Sequence, residues 1–197
     1  MPRAGLSRDA VVDLALGIVD DGGPDGFAGL TLAQVAARAG VATPSLYKHV
    51  GSLAELRREV AARAVRELAV VSSRATVGLS GADAVRAMAH AWRDHARTYP
   101  GRYAATQVGP DPDAPAHAEH RAAAAESVAV AVAALRGFGL PDDGVVDAVR
   151  AARSAVHGFV ALELGGGFRM PQDLDRSFEA LVTMLVAGIT ALSDQNS

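Results

Sequence analysis

Apolar residues recur at helical spacing along almost the whole of this chain. Val11, Leu14, Ala15, Ile18 and Val19 follow the i, i+3, i+4, i+7, i+8 pattern of one buried helical face. Ser7 stands where it can cap that helix, and the run from Asp20 to Gly26 ends it. Thr31 and Gln34 have the spacing of a capping box, with Leu30 and Val35 placed as the flanking hydrophobic staple. Leu32, Val35, Ala36 and Ala39 make the apolar face of the helix they open, and Gly40 stops it. After Gly40-Val41-Ala42, Thr43 is positioned to cap a third helix with Pro44 at its first position and Leu46 and Val50 pointing inward. Gly51 ends that helix. Ser52 and Glu55 form a second capping box, opening a long helix that carries Leu53, Leu56, Val60, Ala64 and Leu68 on one side. Two helices joined by a tight turn containing glycine have the helix-turn-helix layout.

The pattern continues as helix to the end. Ser80 and Asp83 are placed to cap a helix carrying Val85, Met88, Trp92 and Tyr99, which Pro100 ends. A short helix is predicted from Gly101 to Gln107, and the three prolines between Gly109 and Pro115 predict a loop. His117–Arg136 is alanine-rich and apolar on several faces, which predicts a well-buried helix. Pro141 opens a helix through Val145, Val149, Val156 and Phe159 that Gly165-Gly166-Gly167 ends. Leu174, Phe178, Leu181, Leu185, Ile189 and Leu192 mark a final amphipathic helix. The expectation is an all-α fold: residues 1–60 as an N-terminal three-helix helix-turn-helix domain, and 61–197 as a helical ligand-binding and dimerisation domain. The long helix after Ser52 joins the two.

Composition narrows the function classes. The chain of 197 residues is half apolar, enough for a sizeable core, yet its apolar stretches are broken by charges or glycines well short of a membrane span. The first residues, MPRAGLSRDA, lack an apolar h-region, so a cytoplasmic protein is expected. There is no cysteine, which removes disulfides, thiolate metal sites and thiol catalysis. A net charge of −3 does not mark a nucleic-acid binder. The distribution does more: between Gly29 and Arg58, four cations (Arg38, Lys48, Arg57, Arg58) stand against Glu55, after a segment holding Asp9, Asp13, Asp20, Asp21 and Asp25. A local basic patch suffices for DNA, because affinity depends on local phosphate contacts.

The run GLTLAQVAARAGVATPSLYKHVGSLAEL (Gly29–Leu56) resembles the DNA-binding domain of the TetR family of bacterial repressors. The turn Gly40-Val41, the pair Leu46-Tyr47, His49 and Leu56 fall at family spacing, and a looser match covers residues 7–60. Two positions depart: Leu53 stands where many members carry lysine, and Val50 where an aromatic residue is common. In the C-terminal part Trp92, Tyr99-Pro100, His157-Gly158-Phe159 and Leu162-Glu163 resemble a ligand-domain subgroup named for its Trp and His-Gly. The resemblance implies base-facing roles for Thr43, Pro44 and Tyr47, and phosphate or sugar contacts for Ser45, Lys48 and His49. Thr31 is counted with them, since the helix it opens can offer backbone N–H groups to a phosphate.

Met88, Trp92, His95, Tyr103, Val130, His157 and Phe159 are candidates to line an apolar ligand pocket, with Gly158 letting a ring or a helix come close. The same residues would serve equally as plain core. Glu163 reads as a ligand contact, as the partner of an arginine such as Arg153, or as a rim residue. His117 and His120, with Glu119, present two imidazoles for a metal or simply begin a solvated helix, and no third ligand is evident nearby. No nucleophile elbow, phosphate loop or paired carboxylate on a strand appears, so an enzyme has little support and no cofactor is expected. The implied partners are a pseudo-palindromic operator DNA, a small apolar or amphipathic effector, and a second copy of the chain through the helices at 141–165 and 172–194. No membrane partner is implied. The pocket is expected to act through the short helix at 101–107 on the long helix after Ser52. A protein that sequesters ligand without binding DNA, or a small helical enzyme, are the alternatives.

Overall fold

A computed structural model describes residues 6–194. Among these the regular structure is helical throughout: α1 (Arg8–Asp21), α2 (Gly26–Gly29), α3 (Leu32–Ala39), α4 (Thr43–Leu46), α5 (Leu53–Ala75), α6 (Gly81–Thr98), α7 (Pro100–Ala105), α8 (Ala118–Leu135), α9 (Asp142–Leu164) and α10 (Leu174–Asp194), with short 3-10 turns between them. The chain forms two compact units. One comprises Met1–Arg66 with Tyr99–Ala124, the other Glu67–Thr98 with Ala125–Ser197. A cut at residue 60 therefore leaves out the return segment 99–124, which packs in the unit that holds the helix-turn-helix.

The start and stop signals of the first unit act as physical chemistry requires. The Ser7 hydroxyl accepts from Ala10 N at 3.1 Å and caps α1. At α3 the capping box is complete, with Gln34 N donating to Thr31 Oγ1 at 3.3 Å and Thr31 N donating to Gln34 Oε1 at 2.8 Å. Gly40 takes a left-handed φ of 68° and turns the chain toward α4. Val11, Val19, Leu30, Val35, Leu46, Leu56 and Val60 are fully buried together, and Ala105 of α7 joins the same cluster.

Three local expectations change. Ala42, not Thr43, is the N-cap of α4, and no side chain caps it; Pro44 lies in its first turn. With the proline ring presetting φ and Leu46 buried, the turn needs no cap. The second capping box is half formed: Glu55 N donates to Ser52 Oγ at 3.0 Å, but the Glu55 carboxylate accepts from Gly51 N at 2.9 Å. The Asp20–Gly26 run is not plain loop, since a 3-10 turn at Gly23–Asp25 leads into α2. Gly26 is there for space: a Cβ on it would lie 2.0 Å from the Val19 carbonyl oxygen.

In the second unit α6, α9 and α10 pack on one another. Val85, Leu135, Ala148, Val186 and Ile189 form one buried cluster, and Phe178 and Val182 are fully buried. The expectation of a well-buried helix after residue 117 is not met. Along α8 only His120, Ala123, Ala131, Ala134 and Leu135 are buried, and Val128 is 51% exposed. Alanine accounts for this, since a methyl group presents too little apolar surface to demand burial on every side.

Candidate nucleic-acid interface and effector region

The recognition segment is a single helical turn held from behind. Leu46 and Val50 anchor it in the core, and backbone bonds from Ser45 N to Ala42 O (2.8 Å) and from His49 N to Leu46 O (2.8 Å) set its shape. The remaining side chains face outward. Pro44 and Lys48 are exposed, Tyr47 is 56% exposed, and Thr43, Ser45 and His49 are half-buried. Among the described residues no hydrogen bond or ion pair engages the side chains of Thr43, Ser45, Tyr47, Lys48 or His49. An exposed tyrosine, a lysine and hydroxyls without internal partners form a surface able to meet base edges and phosphates. Thr31 differs: its hydroxyl also donates to Gln34 Oε1 at 2.7 Å, so it shapes the start of α3.

The basic patch is divided in its employment. Arg38 pairs with Asp21. Arg57 donates to the carbonyl oxygens of Ala28 (2.7 Å) and Leu30 (3.1 Å), tying α5 to the entry of α3. Lys48 is exposed, and among the described residues its side chain makes no hydrogen bond or ion pair. Arg8 pairs with Glu55 (2.8 Å) and Glu59 (2.7 Å), and Arg63 with Asp13. Ion pairs of both polarities thus hold α1 to α5.

Sequence reasoning missed how α7 is seated. It packs on α1, on the 3-10 turn before α2 and on α2 itself, and its Ala105 joins the cluster that holds Leu56 and Val60 of α5. Gly101 lies so close that a Cβ on it would stand 2.4 Å from the Val19 carbonyl oxygen and 2.7 Å from that of Gly23. Arg102 grips Asp20 with two hydrogen bonds of 2.8 and 2.7 Å. The signal available in the sequence was the glycine directly after Pro100, followed by a lone arginine.

The expected pocket residues do not form one constellation. Met88 and Trp92 line a narrow crevice with Val85, Ala89, Ala152, Val156 and Leu185, and it has no room even for a water molecule. Trp92 donates its indole N–H to Ser72 Oγ at 2.6 Å, and Ser72 donates to the Leu68 carbonyl at 2.7 Å. His95 is buried further along α6. Tyr103 is buried in the other unit. Val130 and His157 are half-buried, and burial, with Arg153 nearby, pushes the His157 imidazole below its ordinary pKa. Phe159 packs on Phe178 and Phe168, with ring centroids 5.1 and 4.8 Å away. Gly158 faces outward, and a Cβ there would meet nothing within 4 Å, so it makes no room for a ligand in the crevice.

Glu163 has a partner that the sequence reading did not name. The guanidinium of the buried Arg93 binds it through two hydrogen bonds of 2.8 and 2.7 Å. Arg93 sits at i+4 from Ala89 and one position after Trp92, inside the buried stripe of α6, which was the legible sign. The paired histidines do not share a solvated face: His120 is buried, whereas His117 Nδ1 accepts from Asp111 N at 2.8 Å. Among the described residues no three His, Asp or Glu side chains are grouped to hold a metal.

Comparison with known proteins agrees with this anatomy. Residues 24–60 match the family model described as bacterial regulatory proteins, tetR family, and residues 85–185 match the tetracyclin repressor-like C-terminal domain. The chain is 37% identical over 187 residues to the HTH-type transcriptional regulator Rv0681 of Mycobacterium tuberculosis, covering 94% of this chain and 83% of the relative. It superposes on Mycobacterium smegmatis BioQ with a TM-score of 0.69 at 25% identity, covering 95% and 99% of the two chains. It has the fold of Streptomyces coelicolor ActR in complex with (S)-DNPA, with a TM-score of 0.67 at 21% identity over 95% and 98% of the chains.

Proposed function

Because the chain belongs to the TetR family of bacterial transcriptional regulators, we propose that it is a cytoplasmic, homodimeric repressor that leaves a pseudo-palindromic operator when a small apolar or amphipathic molecule binds its C-terminal helices. The observation that carries the DNA side is the recognition turn, whose outward side chains have no internal role. In this reading Thr43, Pro44 and Tyr47 meet base edges, while Ser45, Lys48 and His49 meet phosphate or sugar. Thr31 positions the start of α3, where backbone N–H groups face a phosphate.

The second copy is called for by α9 and α10. Their outward faces are apolar and built of small residues: Ala151, Gly158, Ala161 and Leu162 on α9, and Ala180, Met184, Ala187, Gly188 and Ala191 on α10. Met184 is 66% and Leu162 51% exposed. Small side chains let helices approach closely, and a four-helix bundle of α9 and α10 with their symmetry mates would cover these faces.

The effector side rests on the crevice of Met88 and Trp92, in keeping with a C-terminal domain of the subgroup named for its Trp and His-Gly. Since the crevice admits no water, a ligand there must part α6 from α9 and α10, which is selection of a second conformation. α6 continues into α7 across Tyr99 alone, and α7 is fastened to α1 by Asp20 and Arg102. His95, Tyr103, Val130, His157 and Phe159 are the further effector candidates. The decisive test is selection of bound DNA from a randomised library by the purified chain. A palindromic consensus is expected, with recognition helices roughly 34–36 Å apart for adjacent major grooves. Recovery of no consensus would overturn the repressor reading.

A further inference from the structure

Arg93 lies in α6 but touches both ends of the connection between α9 and α10. Its side chain is 5% exposed. Two of its nitrogens bind Glu163, in the last turn of α9, and the same Nη2 lies 2.8 Å from Asp175 Oδ1, in the first turn of α10. The guanidinium also stands 4.7 Å from the Phe178 ring centroid and 5.4 Å from that of Phe159, one ring from each of the two helices. The carboxylates are unequal. Glu163 is 12% exposed and held by both prongs, whereas Asp175 is 73% exposed and shared with Arg97 at 3.7 Å. The connection itself is not rigid by composition, since it contains Gly165, Gly166 and Gly167, with Gly166 at a φ of 65°.

A buried guanidinium with two carboxylates is a poor source of net stability, because desolvation offsets most of the attraction. What it supplies is geometry: a planar fork accepts its partners at one distance and one angle. The residues around it belong to the faces that the proposed dimer uses. Leu162 is the neighbour of Glu163, and α10 runs from Asp175 to Met184 and Gly188 in one unbroken helix. Sliding α10 by one residue along α9 would turn that face by about 100°.

We propose that Arg93 is a positioning residue for self-association: by holding Glu163 and Asp175 at once, it sets the register of α9 against α10 and so composes the face that a second copy recognises. The proposal rests on the dimer reading above, and the test separates the two. Dissociation constants of the full chain are measured by sedimentation equilibrium for wild type, for the apolar pair Arg93→Met with Glu163→Leu, and for Asp175→Asn, each checked for folding by circular dichroism. Replacing both members of a buried ion pair by apolar residues leaves folding stability nearly unchanged in comparable cases. A purely structural role therefore predicts wild-type dimerisation of the apolar pair. The expected result is a dissociation constant at least ten times higher for the apolar pair and several times higher for Asp175→Asn, with helical content unchanged. A folded apolar pair that dimerises like wild type overturns the proposal. Should that pair fail to fold, Asp175→Asn decides: an unchanged constant overturns the proposal and a raised one supports it. A monomeric wild type at tens of micromolar overturns the dimer reading itself, and this proposal with it.

Discussion

Asp20 near the end of α1 and Arg102 in the first turn of α7 are joined by two parallel hydrogen bonds of 2.8 and 2.7 Å, both side chains about three-quarters buried. The Arg102 guanidinium also lies 5.0 Å from the Tyr99 ring centroid. A forked, partly desolvated pair of this kind is worth more than a surface ion pair. Replacing Arg102 by Ala is expected to lower unfolding stability by about 1–3 kcal/mol. Asp20→Ala should cost a similar amount, and the double variant clearly less than the sum. Urea denaturation of the four proteins measures this, and additive losses would show that the pair is not coupled.

Gly101 makes the same contact through backbone. A methyl group there would meet two carbonyl oxygens at 2.4 and 2.7 Å, and neither can swing aside as a side-chain end would. Gly101→Ala should therefore lift α7 from α1, cost roughly 1–3 kcal/mol and change operator affinity. Gly158→Ala is the control: it meets nothing within 4 Å and should leave the fold of a single copy intact. Thermal unfolding that ranks the two variants the other way would contradict the reading of both glycines.

For DNA, Lys48→Ala should weaken binding to all sequences alike and make the salt dependence shallower by roughly one unit of slope. Thr43→Ala and Tyr47→Ala should alter the preferred sequence while the slope stays near that of wild type. Fluorescence anisotropy over a salt series, on the selected operator and on scrambled DNA, separates the two behaviours.

Two histidines contribute to the response to acid. Burial, helped by nearby His117, holds the His120 ring below its ordinary pKa, and burial with Arg153 does the same to His157. Their folded pKa values lie below the unfolded value of about 6.5, so the unfolded chain takes up more protons as pH falls past that point. The stability contributed by the neutral rings is fully present above about pH 7.5 and declines as pH drops through about 6.5 and below. Urea midpoints at about pH 7.5, 6.5 and 5.5 should fall in that order, and less steeply in His120→Gln with His157→Gln. Equal midpoints in wild type would contradict the assignment.

Trp92 and Ser72 make a further sharp case. Ser72→Ala strands the buried indole N–H, at an expected cost of about 1–3 kcal/mol. Adding Trp92→Phe removes the stranded donor, so the double variant should lose less than the two single losses together. Chemical denaturation of the three variants reads this directly.

Residues 7–60 were legible because their signals are local. The Ser7 cap, the Thr31–Gln34 box, the Gly40 turn and the inward Leu46 and Val50 each depend on neighbours a few positions away, and each stands as the pattern predicts. Local signals failed only in detail, at the Thr43 cap, the Ser52–Glu55 box and the Asp20–Gly26 run; the larger failures were non-local or spread thin. The seat of α7 depends on Asp20 and on two carbonyl groups some eighty residues earlier, which no window of sequence contains. α8 has no polar side to its alanines, and a pattern without contrast does not say which face is covered. Gly158 was read toward a ligand because His157 and Phe159 flank it, yet neighbours in a helix point about 100° apart. Arg93 shows the opposite case, since its place in an apolar stripe made a buried partner necessary, whereas Glu163 had been matched only to an arginine on its own helix, Arg153.

The recognition turn owes its shape to residues other than those it displays. Leu46, Val50 and Gly40 make the scaffold, while Thr43, Ser45, Tyr47, Lys48 and His49 hang from it with no side-chain hydrogen bond to the rest of the chain among the described residues. Replacing any of these five should cost the fold little, so in the proposed reading drift at these positions is filtered by operator binding and hardly by foldability. On that reading, descendants of this chain would change their operators by mutating the display set alone. A designer seeking a new specificity can likewise randomise it in place, without rebuilding the helices behind.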